Sequence, residues 1–283
     1  MLGVSSRLIA ASVLGIALTA PAVMAAPLLY DDFTGNASTA PDSTLWSTYH
    51  YSGAGTNLLD GNSHLVSNVN TNAYGNYVGT VSKSSSFDAF GSSPLKIDLS
   101  GLAVGGAPPA SGTASNNGFI LYGRSNNNTV SEYHTDGTAM AFGIGALLGS
   151  SHAGYTLSTT EYSDNASNGV VFKHAYALAG APTGLSLVID GSGRTLDVTL
   201  VGTTFTATGL TTLSETLSSD FTKANLSSGG VLTSRIAVGA VNGAAPANAT
   251  TFSIDSITAS VPEPACLGLA ACGALLLFRR RRS

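Results

Sequence analysis

Between residues 26 and 260 the chain holds three glutamates, Glu132, Glu161 and Glu215. Two carboxyls held about 5–10 Å apart can cleave a glycosidic bond, one as acid and the other as nucleophile or base. The only one of the three with a carboxylate at i+2 or i+4 is Glu132, which precedes Asp136 in EYHTD. Residues i and i+4 of a strand share a face, but they stand about 13 Å apart. No hydrolytic pair is therefore written locally, and one would have to come from separate strands. The five histidines, His50, His64, His134, His152 and His174, are scattered and form no HxH or HExxH spacing for zinc. Both cysteines, Cys266 and Cys272, lie in the C-terminal tail, so the middle of the chain has no thiolate nucleophile and no disulfide. There is no G-x-S-x-G elbow. SPLK (93–96) lacks the companion motifs of an S-x-x-K enzyme, and GIGALLG (143–149) reads as strand glycines because no helix pattern follows it.

Two binding chemistries are left. Asp31 and Asp32 near the start of the middle region and Asp255 near its end offer oxygen ligands for calcium, provided the first and last strands pair. WSTYHY puts Trp46, Thr48 and His50 on one face of a strand and Tyr49 and Tyr51 on the other. The single Trp suits a core, which makes Tyr49 and Tyr51 the candidate platform for a sugar ring.

The elements that must position these groups read as strands. No segment of the middle has an amphipathic helical period, whereas period-two runs recur between turn signals. In LSLVIDGSGRTLDVTLVG, Leu185, Leu187 and Ile189 share one face, as do Leu196, Val198 and Leu200 after the turn. Asp190, Gly191 and Gly193 between them suit a tight hairpin with positive φ angles. GFILYGR is apolar on both faces, as a central strand can be, and RIAVGAVNG reads as another strand. TFSIDSITAS alternates, then slips at Asp255 and Ser256, which predicts a bulge or a strand that changes partner. Residues 101–118 read as a long loop.

Composition supports this reading. Hydrophobic residues make up 43% of the 283, enough for a sizeable core, while charged residues are only 10%. The net charge is −4, and five of the 12 bases sit in the two terminal segments, so the middle is acidic and sparsely charged. Clustered Lys and Arg for nucleic acid are missing.

The ends carry a different message. Arg7, an apolar stretch at 8–20 and small residues before Ala25 form a secretory signal peptide, with cleavage expected after Ala25. This implies the Sec translocon and signal peptidase as partners. At the other end, VPEP precedes an apolar run at 266–278, and Arg279, Arg280, Arg281 and Arg282 follow it. Thirteen helical residues cover only about 20 Å of a roughly 30 Å hydrocarbon core, and the arginines act as a cytoplasmic stop.

Pro262, Glu263 and Pro264, the short helix and the terminal arginines resemble the bacterial PEP-CTERM sorting signal. The resemblance implies recognition by an exosortase, a transient inner-membrane anchor, cleavage near the Pro-Glu-Pro, and delivery to the cell surface or matrix beside exopolysaccharide. A second resemblance concerns the middle. YDDFTGNASTAPDSTLWS, with Asp42 and Trp46, LLDGNSHLV at 58–66 and TFSIDSITAS are similar to the opening, next and closing strands of concanavalin A-like jelly rolls, including glucanases and LamG-like modules. That family's glucanases carry a Glu-x-Asp-x-x-Glu motif, which this chain lacks. The expectation is a signal segment at 1–25, one all-β jelly-roll sandwich at 26–260 and a sorting segment with a short hydrophobic helix at 261–283. The sandwich is expected to bind carbohydrate without catalysis, to act as a glycan hydrolase, or to serve as a purely structural biofilm component.

Overall fold

The computed structural model describes residues 27–51, 55–69, 76–84, 87–106, 115–124, 139–149, 152–163, 170–228, 231–232, 234–242 and 250–261. All of them belong to one compact unit, Ala25–Pro262. The apolar runs at 8–20 and 266–278, Ala25, Pro262, Glu263, Pro264 and Arg279 to Arg282 lie outside the described residues. Among the described residues, no helix is long and apolar enough to cross a membrane.

The unit is all-β. A six-stranded antiparallel sheet runs in the order β1 (Leu29–Asp31), β19 (Ser256–Ser260), β6 (Leu95–Ser100), β12 (Gly184–Asp190), β13 (Thr195–Val201) and β14 (Thr212–Thr216). A seven-stranded sheet runs in the order β11 (Val170–Leu178), β10 (His152–Tyr162), β9 (Ala139–Gly149), β8 (Ser115–Arg124), β17 (Ser234–Asn242), β5 (Asn76–Ser82) and β2 (Trp46–Tyr51). A four-stranded sheet holds β3 (Gly55–Leu59), β4 (Leu65–Val69), β18 (Thr250–Ile254) and β7 (Ala103–Gly106). A single-turn helix α1 (Lys223–Leu226) leads into a minimal pair, β15 (Ser227–Ser228) and β16 (Val231–Leu232).

Alternating side chains explain why the large sheets face one another. In β6, β12 and β13 every second residue is buried, and the register sets Leu185 opposite Leu200, Leu187 opposite Val198 and Ile189 opposite Leu196. These six join Val78, Ile120, Tyr122, Leu157, Ile236 and Val238 of the seven-stranded sheet in one hydrophobic core. Burying each such side chain is worth about 1.5–3 kcal/mol. The expected hairpin is present, with one correction. Its positive φ falls on Arg194 (φ 55°), and neither Gly191 nor Gly193 has one. Gly191 is small for another reason, because a Cβ there would overlap the Phe90 ring.

GFILYGR lies in β8, the fourth of the seven strands, and Phe119, Ile120, Leu121 and Tyr122 are all buried. Ile120 and Tyr122 enter the main core, while Phe119 and Leu121 join Val81, Tyr162, Ala237 and Val241 in a second cluster. The slip at Asp255 is a change of sheet. β18 pairs with β4 and β7, and β19 pairs with β1 and β6. The first and last strands do pair, with Leu29 opposite Ala259 and Asp31 opposite Ile257. The stretch read as a loop at 101–118 contains β7 and the start of β8, since Ala103–Gly106 adds to the edge of β18. Small, glycine-rich β7 carries too weak a hydrophobic period to show in sequence.

Candidate functional site

The site is built where the outer edges of the two large sheets approach each other. β14 ends the six-stranded sheet and β11 ends the seven-stranded one. In β14, Leu213 and Glu215 pair with the core-facing Val198 and Leu196, so Glu215 occupies an inward position that the pattern reserves for an apolar side chain. Its side chain is only 5% exposed. Oε1 accepts hydrogen bonds from Thr159 Oγ1 on β10 at 2.7 Å and from the Tyr176 hydroxyl on β11, and His174 Nδ1 lies 3.4 Å away. Oε2 is buried without a hydrogen-bond partner. Burial, reinforced by the hydrogen bond to Glu215 and its charge, pushes the Tyr176 phenol well above its ordinary range, so that hydroxyl remains a donor.

The inner face of β11 presents a row of rings. Phe172 and His174 stack with centroids 4.9 Å apart, His174 meets Tyr176 edge-on at 6.3 Å, and Tyr176 meets Phe205 edge-on at 5.8 Å. At one end the seam is shut by a bridge between Leu178 and Phe205 and by Thr206 N donating to Ala177 O. Away from that end Tyr176 and Phe172 are half-buried against the core, and the His174 side chain is 52% exposed. The seam thus carries rings along one edge with a buried carboxylate behind them, and its partly exposed His174 side is its mouth.

Glu161 supports this mouth from β10, two residues and about 6.7 Å along the same face from Thr159. It is wholly buried. Ser218, three residues beyond Glu215, donates its backbone N–H to Oε2 at 2.9 Å and its hydroxyl to Oε1. Burial raises the Glu161 pKa, and the Ser218 hydrogen bonds offset part of that rise. Two of the three glutamates of the middle thus meet at one seam from separate strands. Glu132 and Asp136 lie outside the described residues.

The residues singled out from sequence have other partners. Asp31 Oδ2 accepts from Trp46 Nε1 at 2.6 Å and Oδ1 from Phe33 N at 2.8 Å. Asp32 Oδ1 accepts from Thr34 N and Oγ1. Asp255 lies 3.1 Å from His64 Nε2. Although β1 and β19 pair, the three carboxylates are engaged separately, and among the described residues no group of three or more His, Asp or Glu side chains is placed to hold a metal ion. Trp46 is a core residue, 3% exposed. Tyr49 and Tyr51 lie in β2 opposite Gly79 and Tyr77, and only their backbone is described.

Sequence reasoning passed over Phe172 and Tyr176, and it considered Glu215 and His174 without a partner for either. A signal existed for Phe172, His174 and Tyr176, since FKHAY carries rings at i, i+2 and i+4, which is one face of a strand. Nothing local marks Glu215, because its partners lie 39 to 56 residues away.

No family model matches this sequence, and no curated protein sequence does. Among solved structures the chain is similar to an endo-1,3-beta-glucanase from Streptomyces sioyaensis, with a TM-score of 0.50 and 14% identity over 84% of this chain and 97% of that one. It is also similar to basic winged bean lectin in complex with Tn-antigen, with a TM-score of 0.50 and 11% identity over 83% of this chain and 98% of that one. Lectin II from Ulex europaeus aligns at a TM-score of 0.46 with 12% identity, covering 83% and 100%. At these identities the likeness is one of architecture. The unit has a jelly-roll fold of the kind found in lectins and glucanases.

Proposed function

We propose that this chain is an exported surface or matrix protein whose jelly-roll unit binds carbohydrate at the β11–β14 mouth without cleaving it. The observation that carries the reading is the ring row Phe172, His174 and Tyr176, backed by the buried Phe205, beside the Glu215 carboxylate at the edge strands of the two sheets. Aromatic faces pack against the C–H faces of a pyranose, and a few fixed polar atoms set its orientation. Support for a non-catalytic role comes from Glu161. Both its oxygens are taken by Ser218 and the side chain is wholly buried, so Glu161 is not free to serve as the second carboxyl beside Glu215. Glycan-array binding by the purified chain tests the reading, with Phe172→Ala expected to weaken every positive signal at least fivefold. Binding that is indifferent to Phe172 would place recognition elsewhere.

A second reading, a glycan hydrolase, draws on the meeting of Glu161 and Glu215 from separate strands. Release of reducing ends from a β-1,3-glucan, abolished in both Glu161→Gln and Glu215→Gln, would favour it over simple binding.

The route of export rests on the termini. The signal segment ending at Ala25 and the Pro262-Glu263-Pro264, short-helix and arginine pattern support sorting by an exosortase after passage through the Sec translocon. Replacing Glu263 with Ala is expected to retain the full-length chain in the inner membrane. Unchanged delivery in that variant, seen by cell fractionation, would remove the sorting claim while leaving the binding claim intact.

A further inference from the structure

We infer that the glycan taken by the β11–β14 mouth is a cationic amino sugar polymer, one whose units carry a free 2-amino group. The inference rests on the proposal above that this mouth binds glycan, and it adds the chemical class of that glycan.

A buried ionised carboxylate needs compensating donors on both oxygens. Glu215 has all of its donors on Oε1, while Oε2 has none. No Lys or Arg pairs with it among the described residues, and its one ion-pair contact is His174 at 3.4 Å. Lys173, next to His174 on β11, alternates to the opposite face of that strand and is exposed. Asp197 points to the outer face of the six-stranded sheet, where it accepts a hydrogen bond from Ser214. Among the described residues, the titratable groups at this seam are therefore the acids Glu161 and Glu215, with the Asp220 charge acting on Glu161, the Tyr176 phenol and the His174 imidazole. The seam is short of positive charge.

An ammonium group supplies what is missing. It brings a full charge and three donors in a compact head, and its hydrogen bond to a carboxylate is of the strong, charge-assisted kind. Ring faces attract the same cation. His174 has the longest contact to Glu215 and is half exposed, so its side of the seam is the one from which an incoming ammonium reaches the carboxylate. A sugar hydroxyl can donate one hydrogen bond but brings no positive charge to the seam. An N-acetyl group adds bulk and no charge.

The test is calorimetric titration of the full chain with three hexasaccharides of equal length: fully de-N-acetylated glucosamine, N-acetylglucosamine and β-1,3-linked glucose. The free-amine oligomer is expected to bind at least tenfold tighter than the other two. In Glu215→Gln that preference is expected to vanish, and in Tyr176→Phe, which removes a neutral donor and keeps the charge, it is expected to persist or widen. Equal or tighter binding of the acetylated or neutral oligomer overturns the amine inference and leaves glycan binding standing. Absence of binding to all three removes both. A tenfold preference that survives in a folded Glu215→Gln protein also overturns the inference, because it would come from general attraction to an acidic surface.

Discussion

Two histidine–carboxylate contacts in this molecule do opposite things. At the corner where the chain passes from β18 to β19, His64 lies between two acids, with Nδ1 2.5 Å from Asp60 and Nε2 3.1 Å from Asp255. Asp60 also accepts from Asn62 N and His64 N, so its lone pairs are well used. The whole group is accessible to water. At the mouth, His174 is 3.4 Å from a carboxylate that is almost entirely buried and has one oxygen unused. Water screens the corner, so its charges contribute little to stability. The mouth is desolvated, so every unsatisfied atom there is costly until something fills it. A saturated exposed cluster reads as structure, whereas the unsaturated buried one is where the proposed ligand would act.

The sharpest way to break this contrast is to attack the buried support of the mouth. Glu161→Ala empties a wholly buried position, leaves the half-buried Ser218 donors unpaired and should cost about 3 kcal/mol, measured by urea unfolding. A loss under about 1 kcal/mol would mean the seam is wetter than its burial indicates. At the corner the backbone should matter more than the charges. Gly101 has φ +59°, and a Cβ there would overlap the Asp255 carboxylate. Gly101→Ala is expected to cost about 2 kcal/mol, whereas Asp255→Ala on its own should barely move the urea midpoint. Tyr176→Phe removes one hydrogen bond to Glu215 and should cost about 1 kcal/mol.

The smallest effect is the pH dependence of the corner. The hydrogen bond to His64 holds the Asp60 pKa down at about 2, and the same bond raises that of His64 above its ordinary 6.5. The Asp60 contribution is complete above an unfolded pKa of about 3.9 and is lost as pH falls toward 2. The His64 contribution is complete below about 6.5 and is lost as pH rises through the raised folded value. The gap in Tm between the parent and His64→Ala should therefore be widest between about pH 4 and 6.5 and should close in alkali. A gap that stays the same from about pH 5 to about pH 9 would show that His64 acts through packing alone.

How much of this could be read in advance depended on how local each signal was. The β12–β13 hairpin was legible because six core residues alternate without interruption on either side of one turn. The slip at Asp255 was legible because a one-residue change of phase moves every following side chain to the other face. The mouth was not, because β11 and β14 are edge strands that each bury one face only in part. Their composition, with Lys173, His174, Ser214 and Glu215, looks like exposed polar sequence until the two edges are brought together. The Asp31, Asp32 and Asp255 reading was conditional on the pairing of first and last strands, and that pairing is present. It could not anticipate that Trp46 and His64 would take up two of the carboxylates, since those contacts span 15 and 191 positions.

The pairing of β1 with β19 has a mechanical consequence. Leu29 sits beside Ala259, so both ends of the jelly roll emerge at one rim. A load applied between them peels a three-residue ribbon and leaves the core strands unstressed. The same neighbourhood means that a short linker could join residues 28 and 261 while the chain is reopened at the exposed turn of Ser192 and Gly193, giving a circular permutant with the same core. Such a permutant would let the mouth be displayed from a different attachment point without altering a residue that lines it.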